Sequence, residues 1–343
     1  MNIAIITGIT GQDGSYLSEL LLKKKYKIYG LIRKTSVKNT DRIEHLLEND
    51  NFNLNYFDLN DSFSFLNILN IFNNEKKNIK VIEIYNLGAI SDVKISFELP
   101  QYYIQTNSIS IINILESIKI SPLKDIIKLY QASTSELFGL VQEVPQKETT
   151  AFYPRSPYGI SKLCSYWFIK NYREAYNIFC SNGILFNHES PRRGNEFVTR
   201  KITIGLSNII KGKQDYITLG NIYAKRDWGH AKDYVEGMWR ILQYSKPDDF
   251  ILSTNKYHTV KEFIELAFKL KGFIIKWKGT GLDEVGYDEN TNKILINISK
   301  DYYRPTEVQE LIGDSSKAKN LLGWSSNYTF EELVKEMVEF DCK

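Results

Sequence analysis

The sequence predicts an α/β chain: a doubly wound parallel sheet with helices on both faces, followed by a smaller α/β lobe. Three observations predict it. Short β-branched runs alternate with helical patterns along the first half of the chain. Glycines recur three residues apart, at Gly8, Gly11 and Gly14, between the first such run and the first helix. After Phe186 the alternation stops, and the chain turns polar, basic and rich in breakers.

The elements follow in order. "NIAIIT" (2–7) is a buried strand. "SYLSELLLKKKY" carries Leu17, Leu20, Leu21 and Leu22 and ends in lysines, as a helix packing one face and completing its dipole does. "KIYGLI" (27–32) is the second strand. A strand near 53–57, a helix near 62–73, a strand at 80–86, a helix near 108–119 and a strand at 125–131 repeat the pattern. A helix near 157–176 and a strand at 180–186 extend it, giving a Rossmann-type domain over residues 1–186. Residues 187–343 are read mainly as the second lobe, with some later segments returning to the first. No long linker separates the lobes, so they are expected to pack closely. "GTGLDEVGYDENTN" (279–292) is expected as an exposed, mobile loop.

Composition excludes several classes. With 43% apolar and 25% charged residues in 343, the chain reads as an ordinary globular protein. A net charge of +3 is too small to argue for nucleic acid or an anionic membrane. The N-terminus has no basic leader, and no apolar stretch reaches the roughly 20 residues of a membrane helix. Cys164, Cys180 and Cys342 show no metal spacing and make no even set, which points to the reducing cytoplasm. Four scattered histidines give no reason to expect a metal.

"TGITGQDG" places its glycines directly after a strand and at the opening of a helix. Glycine permits the tight turn and lets a pyrophosphate approach the free N–H groups of the helix N-terminus. The end of the second strand, "LIRKTS", carries Arg33, Lys34 and Ser36 where an NAD site has an acid. A guanidinium and a hydroxyl suit a 2′-phosphate, so the expected cofactor is NADP. Lys34 and Lys38 read equally as surface cations. Asp58, in "YFDLN", is either a partner for the adenine ring or a helix N-cap.

"YGISK" sets Tyr158 and Lys162 four apart, on one face of a helix. An ammonium there is expected to lower the phenol pKa and bring tyrosinate within reach of neutral pH. Thr134, at the end of the strand "KDIIKLY", is placed to orient the same hydroxyl. Two residues on stands Glu136, in "YQASTSELFG". A site that only moved a hydride would not need this carboxylate; the bland reading is a helix-start acid satisfying backbone N–H groups.

These motifs resemble the extended short-chain dehydrogenase/reductase superfamily. Within it the chain resembles the GDP-mannose 4,6-dehydratases over nearly its whole length. The carrying stretches include "QASTSELFGLVQEVPQKETTAFYPRSPYGISK", "NGILFNHESPRRGNEFVTRKI", "RDWGHAKDYV" and "YYRPTEVQELIGD". The resemblance implies oxidation at carbon 4 of a GDP-linked sugar, loss of water across carbons 5 and 6, and return of the hydride to carbon 6. Tyr158, Thr134 and Lys162 would serve the oxidation, Glu136 would be the base at carbon 5, and Ser135 a proton relay. It further implies cofactor contacts by Thr10, Gln12 and Asp13 in the glycine turn, by Leu59, Leu87 and Ala89, and by His188 and Arg193. Asn187, Lys201, Arg226 and Arg304 would hold the pyrophosphate, with Glu307 toward the guanosine. Arg192, like Arg193, would reach the cofactor or a neighbouring subunit.

One stretch departs from the family. After "YNLGA" relatives commonly continue Gln-Ser-His-Val; here Ile90, Ser91, Asp92 and Val93 follow, then Lys94. Ser91 is retained as a sugar contact. The exchange to Ile90 and Asp92 opens GDP-manno-heptose as a rival to GDP-mannose. An epimerase or reductase of the superfamily would share Tyr158 and Lys162 but not need Glu136. A catalytically silent NADP-binding protein would not need the four catalytic types together. The resemblance also implies a homo-oligomer, dimer or tetramer; in the tetramer the loop 33–42, with its four cations, would meet a neighbour near its cofactor.

Overall fold

The computed structural model describes residues 1–37 and 39–343. The first half runs β1 (Asn2–Thr7), α1 (Gln12–Lys23), β2 (Lys27–Ile32), β3 (Phe52–Tyr56), α2 (Ser64–Asn70), β4 (Val81–Asn86) and α3 (Pro100–Tyr103). It continues through a π-helical segment, Ile104–Ile109, into α4 (Ser110–Ile120), then β5 (Ile127–Thr134), α5 (Pro157–Tyr176) and β6 (Cys180–Leu185). Beyond these lie β7 (Asn187–Glu189), α6 (Val198–Ile210), β8 (Ile217–Leu219), β9 (Lys225–Arg226), β10 (Trp228–His230), α7 (Ala231–Gln243) and β11 (Phe250–Leu252). The chain finishes with β12 (His258–Thr259), α8 (Val260–Lys269), β13 (Ile275–Lys278), β14 (Val285–Asp288), β15 (Ile294–Ile298), β16 (Glu310–Leu311), α9 (Ser316–Leu322) and α10 (Phe330–Asp341).

Seven parallel strands form the main sheet in the order β11-β6-β5-β4-β1-β2-β3. The order reverses between β1 and β4, and a crevice opens there beyond the carboxyl ends. Leu17, Leu21, Tyr234, Met238 and Ile241 of α1 and α7 cover one face. Phe65, Leu69, Ile111, Leu115 and Ile169 of α2, α4 and α5 cover the other. The seventh strand lies after residue 187: α7 carries the chain back across α1, and β11 pairs with β6 from Gly183 to Leu185. That crossover hides in the sequence because β11 is only three residues long.

The second lobe packs α6, α8 and α10 around Ile202, Phe263, Phe268, Val334 and Met337, against a four-stranded sheet β13-β14-β15-β8. The expected loop 279–292 is corrected here: Val285–Asp288 is β14, an inner strand of that sheet. Its Gly286 lets Trp277 and Ile296 close over the backbone, since a Cβ would stand 3.0 Å from Ile296. The glycine there serves close packing, and Asp288 Oδ1 accepts from the Ile274 N–H at 3.1 Å.

Candidate active site

One cavity of about 740 Å³ lies between the carboxyl ends of the sheet and the second lobe. Its floor is the glycine turn. Gly8 has φ +67°, and a Cβ on it would stand 2.8 Å from the Gly88 nitrogen. Across the strand ends, Thr7 Oγ1 donates to Asn86 Oδ1 at 2.7 Å and accepts from the Gly88 N–H at 2.9 Å. Leu59 packs on Gly88 from behind, 3.1 Å from where a Cβ would be. Helix α1 starts at Gly11 with no side chain capping it. Its first-turn N–H groups therefore remain for an anion, and a dinucleotide pyrophosphate fits that cradle.

Asp13 and His188 form the next wall. His188 Nδ1 lies 2.8 Å from the Phe186 carbonyl, and Nε2 lies 2.9 Å from Asp13 Oδ2. A carbonyl and a carboxylate only accept, so the geometry suits an imidazolium with both nitrogens donating. Burial opposes that charge, but the Asp13 carboxylate outweighs it and raises the imidazole pKa. In turn, burial pushes Asp13 up while the His188 charge and hydrogen bond hold it below the usual carboxylate value. The ring stacks on Tyr234 at 4.5 Å. Gln12 completes the tie, donating to the His188 carbonyl at 3.1 Å and accepting from Ser190 at 2.7 Å.

The next wall is the end of β5 against the start of α5. Pro157 opens α5 and the Ser156 hydroxyl accepts from Gly159 N–H at 3.0 Å, fixing the turn that carries Tyr158 and Lys162. Thr134 Oγ1 accepts from the Glu136 N–H at 3.2 Å. Thr134, Ser135, Glu136, Tyr158 and Lys162 all line the cavity. Burial pushes the Tyr158 phenol up to about 12, against the pull of Thr134 and Arg193 and with the help of Glu136 and Asp13. Burial also pushes Lys162 down to about 8. The expectation of an accessible tyrosinate is thus not met here. Both groups are desolvated, and Lys162 Nζ is aimed at the Ala132 carbonyl, 3.0 Å away.

The second lobe supplies the roof. Lys201, Arg226, Arg304 and Glu307 line it with Asn187. Arg226 is buried; burial lowers its pKa and Glu136 raises it. Lys201 Nζ sits 3.3 Å above the centre of the Tyr302 ring. Glu307 Oε1 accepts the backbone N–H of Arg304 at 2.7 Å, holding that loop. Arg304 Nη1 lies 3.5 Å from Glu136 Oε1, the one ion pair between roof and wall among the described residues.

Other expected contacts divide. Thr10, Leu87, Ala89, Ser91 and Arg193 line the cavity; Arg33, Ser36 and Asp58 do not. Arg33 is exposed, with Nη1 3.4 Å from the Tyr102 hydroxyl. Asp58 Oδ1 accepts from Asn60 N–H at 2.9 Å, a turn inside its own loop, and α2 begins after Phe63 with no side chain capping it. Arg192 pairs with Glu19 at 2.6 Å, while Arg193 pairs with Glu189 at 3.2 Å. Lys38 lies outside the described residues. Asp92 lines the cavity, but its Oδ1 accepts from Ile95 N–H at 2.9 Å. Two residues escaped sequence reasoning. Asn107, in the π-helical segment, bonds the Ile90 N–H at 2.9 Å and Ser161 Oγ at 3.1 Å, joining the sugar-side segment to α5. Tyr302 stands beside Arg304 in "YYRPTE", its only sequence signal.

This strand order, with a glycine turn facing a Tyr-x-x-x-Lys helix across one cavity, defines the extended short-chain dehydrogenase/reductase class. A solved dTDP-glucose 4,6-dehydratase from Bacillus anthracis, in complex with NAD, shares the fold. It is 22% identical with a TM-score of 0.78, covering 99% of this chain and 96% of that one. Within the class, residues 5–337 match the family described as GDP-mannose 4,6 dehydratase, and the chain belongs to that family. The human GDP-mannose 4,6 dehydratase is 52% identical over 100% of this chain and 92% of its own length. The GDP-mannose 4,6-dehydratase of Yersinia enterocolitica is 47% identical over 100% of this chain and 94% of its own.

Proposed function

We propose that the protein dehydrates GDP-mannose to its 4-keto-6-deoxy derivative with NADP. The observation that carries this is Glu136, a carboxylate on the same cavity wall as Thr134, Tyr158 and Lys162, under a roof of Lys201, Arg226 and Arg304. A nicotinamide cofactor held by the glycine turn would supply a hydride acceptor for carbon 4 and a hydride donor for carbon 6 beside Thr134, Tyr158 and Lys162. Thr134 and Tyr158 orient the carbon-4 hydroxyl; its proton passes to Tyr158 as tyrosinate, the form that burial alone disfavours and that Lys162 together with a bound cationic nicotinamide would favour. Glu136 removes the carbon-5 proton, which the adjacent ketone acidifies. The C–H electron pair becomes a double bond to carbon 6, the carbon 6–oxygen bond breaks, and the hydroxyl leaves as water with a proton from Glu136, Ser135 assisting as a relay. A solvent proton then replaces the one lost at carbon 5.

Lys201, Arg226 and Arg304, with Asn187, hold the diphosphate, and Glu307 lies toward the guanosine. NADP is favoured because Arg33 and Ser36 follow β2 with no acid among residues 33–37. GDP-manno-heptose is the second reading, supported by Asp92 in the cavity wall. We place the enzyme in the cytoplasm as a homodimer or homotetramer. Its three cysteines are unpaired, and no described helix is long and apolar enough to cross a membrane. Light scattering at micromolar concentration reads the assembly, and a monomer rejects it.

The test offers GDP-mannose and GDP-manno-heptose in parallel, with NADP⁺, in heavy water. Loss of one water with one solvent deuteron at carbon 5 is the expected result, and the faster sugar names the substrate. Accumulation of NADPH without loss of water would make the protein a plain dehydrogenase.

A further inference from the structure

The contact between Arg304 and Glu136 joins two residues assigned to different tasks. Glu136 is buried on its wall, and its Oε2 has no hydrogen-bond partner. Its Oε1 lies 3.5 Å from Arg304 Nη1, and that nitrogen too is buried without a hydrogen-bond partner. The approach is therefore ionic, with donor capacity left over on the guanidinium. A buried carboxylate with one bare oxygen is unfavourable unless a cation faces it. Two do so: Arg304 in direct contact, and Arg226, whose charge Glu136 favours. Arg226 gives one N–H to the Lys225 carbonyl at 2.9 Å. Among the described residues the Arg304 guanidinium has no such backbone tether, and its loop is fixed by the backbone bond to Glu307 and by a hydrogen bond from Thr306 to the Arg155 carbonyl. Its head is thus held at a place common to the base and the roof.

We propose that Arg304 is a positioning residue for Glu136 as well as a diphosphate ligand, so that recognition of the diphosphate and readiness of the base share one guanidinium. Nη1 braces Oε1, which leaves Oε2 for the carbon-5 proton, and the remaining N–H groups take phosphate oxygen. An arginine presents five donors in a rigid fork and can serve both anions together. A nucleotide-linked sugar thereby completes the fork, whereas a sugar without a diphosphate leaves it half engaged. The inference rests on the proposed dehydration and deepens it.

The test separates the two chemical steps at saturating GDP-sugar in wild type, Arg304→Gln and Arg304→Lys. Single-turnover absorbance of the reduced cofactor reads oxidation at carbon 4. Deuterium entering carbon 5 with loss of water reads elimination. In Arg304→Gln elimination is expected to slow about 10- to 100-fold, the range for losing one charged partner, while oxidation holds, so the reduced cofactor accumulates. Arg304→Lys keeps a cation and recovers part of the elimination rate. In an E136Q background, Arg304→Gln is expected to slow elimination little further, because the residue acts through Glu136. A rise in KM alone, with both steps at wild-type rate when saturated, overturns the proposal, as does equal slowing of both steps. If Arg304→Gln does not fold, the Arg304→Lys split decides. Wild type that performs no dehydration would sink the proposed function instead, a distinguishable outcome.

Discussion

Replacing Gly14 by alanine tests whether the glycine turn is the cofactor cradle. A Cβ there would lie 2.5 Å from the Gly8 carbonyl oxygen and 2.7 Å from the Ile9 Cα, while ordinary contact begins at 3.4 Å. The first turn of α1 must lift by about 0.9 Å, the difference between 3.4 and 2.5 Å. Overpacking of that size costs about 1–3 kcal/mol, or about 1–4 °C in Tm for a chain of this length. The lift also withdraws N–H groups aimed at a pyrophosphate. Losing one such charge-assisted bond weakens NADP⁺ about 10- to 100-fold, readable by titration calorimetry. Gly212→Ala is the control: Gly212 follows α6 with φ +68° and nothing within 4 Å of its Cβ. It carries left-handed strain of about 1–2 kcal/mol, far from the cavity, and should lower Tm with NADP⁺ affinity unchanged. NADP⁺ affinity in Gly14→Ala within twofold of wild type would refute the cradle.

Further predictions concern single groups. Glu136→Gln should slow elimination about 10²- to 10⁴-fold with NADP⁺ binding intact; normal turnover would remove it from the mechanism. Tyr158→Phe should abolish the transient NADPH seen in stopped flow, and a burst at wild-type rate would contradict its role. Arg33→Asp should shift the ratio of NADP⁺ to NAD⁺ affinity toward NAD⁺ by about tenfold or more, and an unchanged ratio places the 2′-phosphate elsewhere. The Asp13–His188 pair contributes stability that is complete below the ordinary histidine value of 6.5 and lost as pH rises through the raised one. On the acid side the contribution of Asp13 is present above 3.8 and lost as pH falls through its lowered value. His188→Gln should therefore flatten the loss of urea stability above pH 6.5. Parallel curves for the two proteins would mean that His188 is not an imidazolium.

Much of the first domain was legible because its strands are apolar runs punctuated by glycine, and because α5 begins with Ser156 and Pro157, a strong start signal. The π-helical segment was not, since Thr106, Asn107 and Ser108 are polar yet buried, and polar residues in "IQTNSI" leave no apolar period to read. Strand β14 was hidden by glycine and aspartate that look like a turn; Gly286 instead packs under Trp277, and Asp288 Oδ1 accepts from the Ile274 N–H. The residues of the site were legible as types, while their pairings were not. Glu136 and Arg304 meet across two lobes, and nothing local in either stretch names the other. The Tyr158–Lys162 pair shows the opposite failure: correct spacing suggested a charge effect that burial overrides.

Pairing also explains how a chain with a net charge of only +3 can offer a strongly anion-seeking cavity. Asp13 is neutralised by His188, Glu189 by Arg193, and Glu136 in part by Arg304. Lys94, Lys162, Lys201 and Arg226 also line the cavity and have no ion pair among the described residues. Asp92, Glu196 and Glu307 line the cavity too, with no ion pair among the described residues, so the field a ligand meets depends on where these four cations stand rather than on a large excess of positive charge. Such a field would draw a nucleoside diphosphate to the roof and a dinucleotide to the floor. Arg304 and Arg226 face Glu136, so the carboxylate assigned to the proposed elimination has cations beside it although it is buried. A plain dehydrogenase would gain nothing from burying a glutamate there, and would have to offset its repulsion toward every phosphate that enters. The glutamate after β5 is tolerable because the roof faces it with arginine, and it suits the proposed elimination because one of its oxygens is left bare.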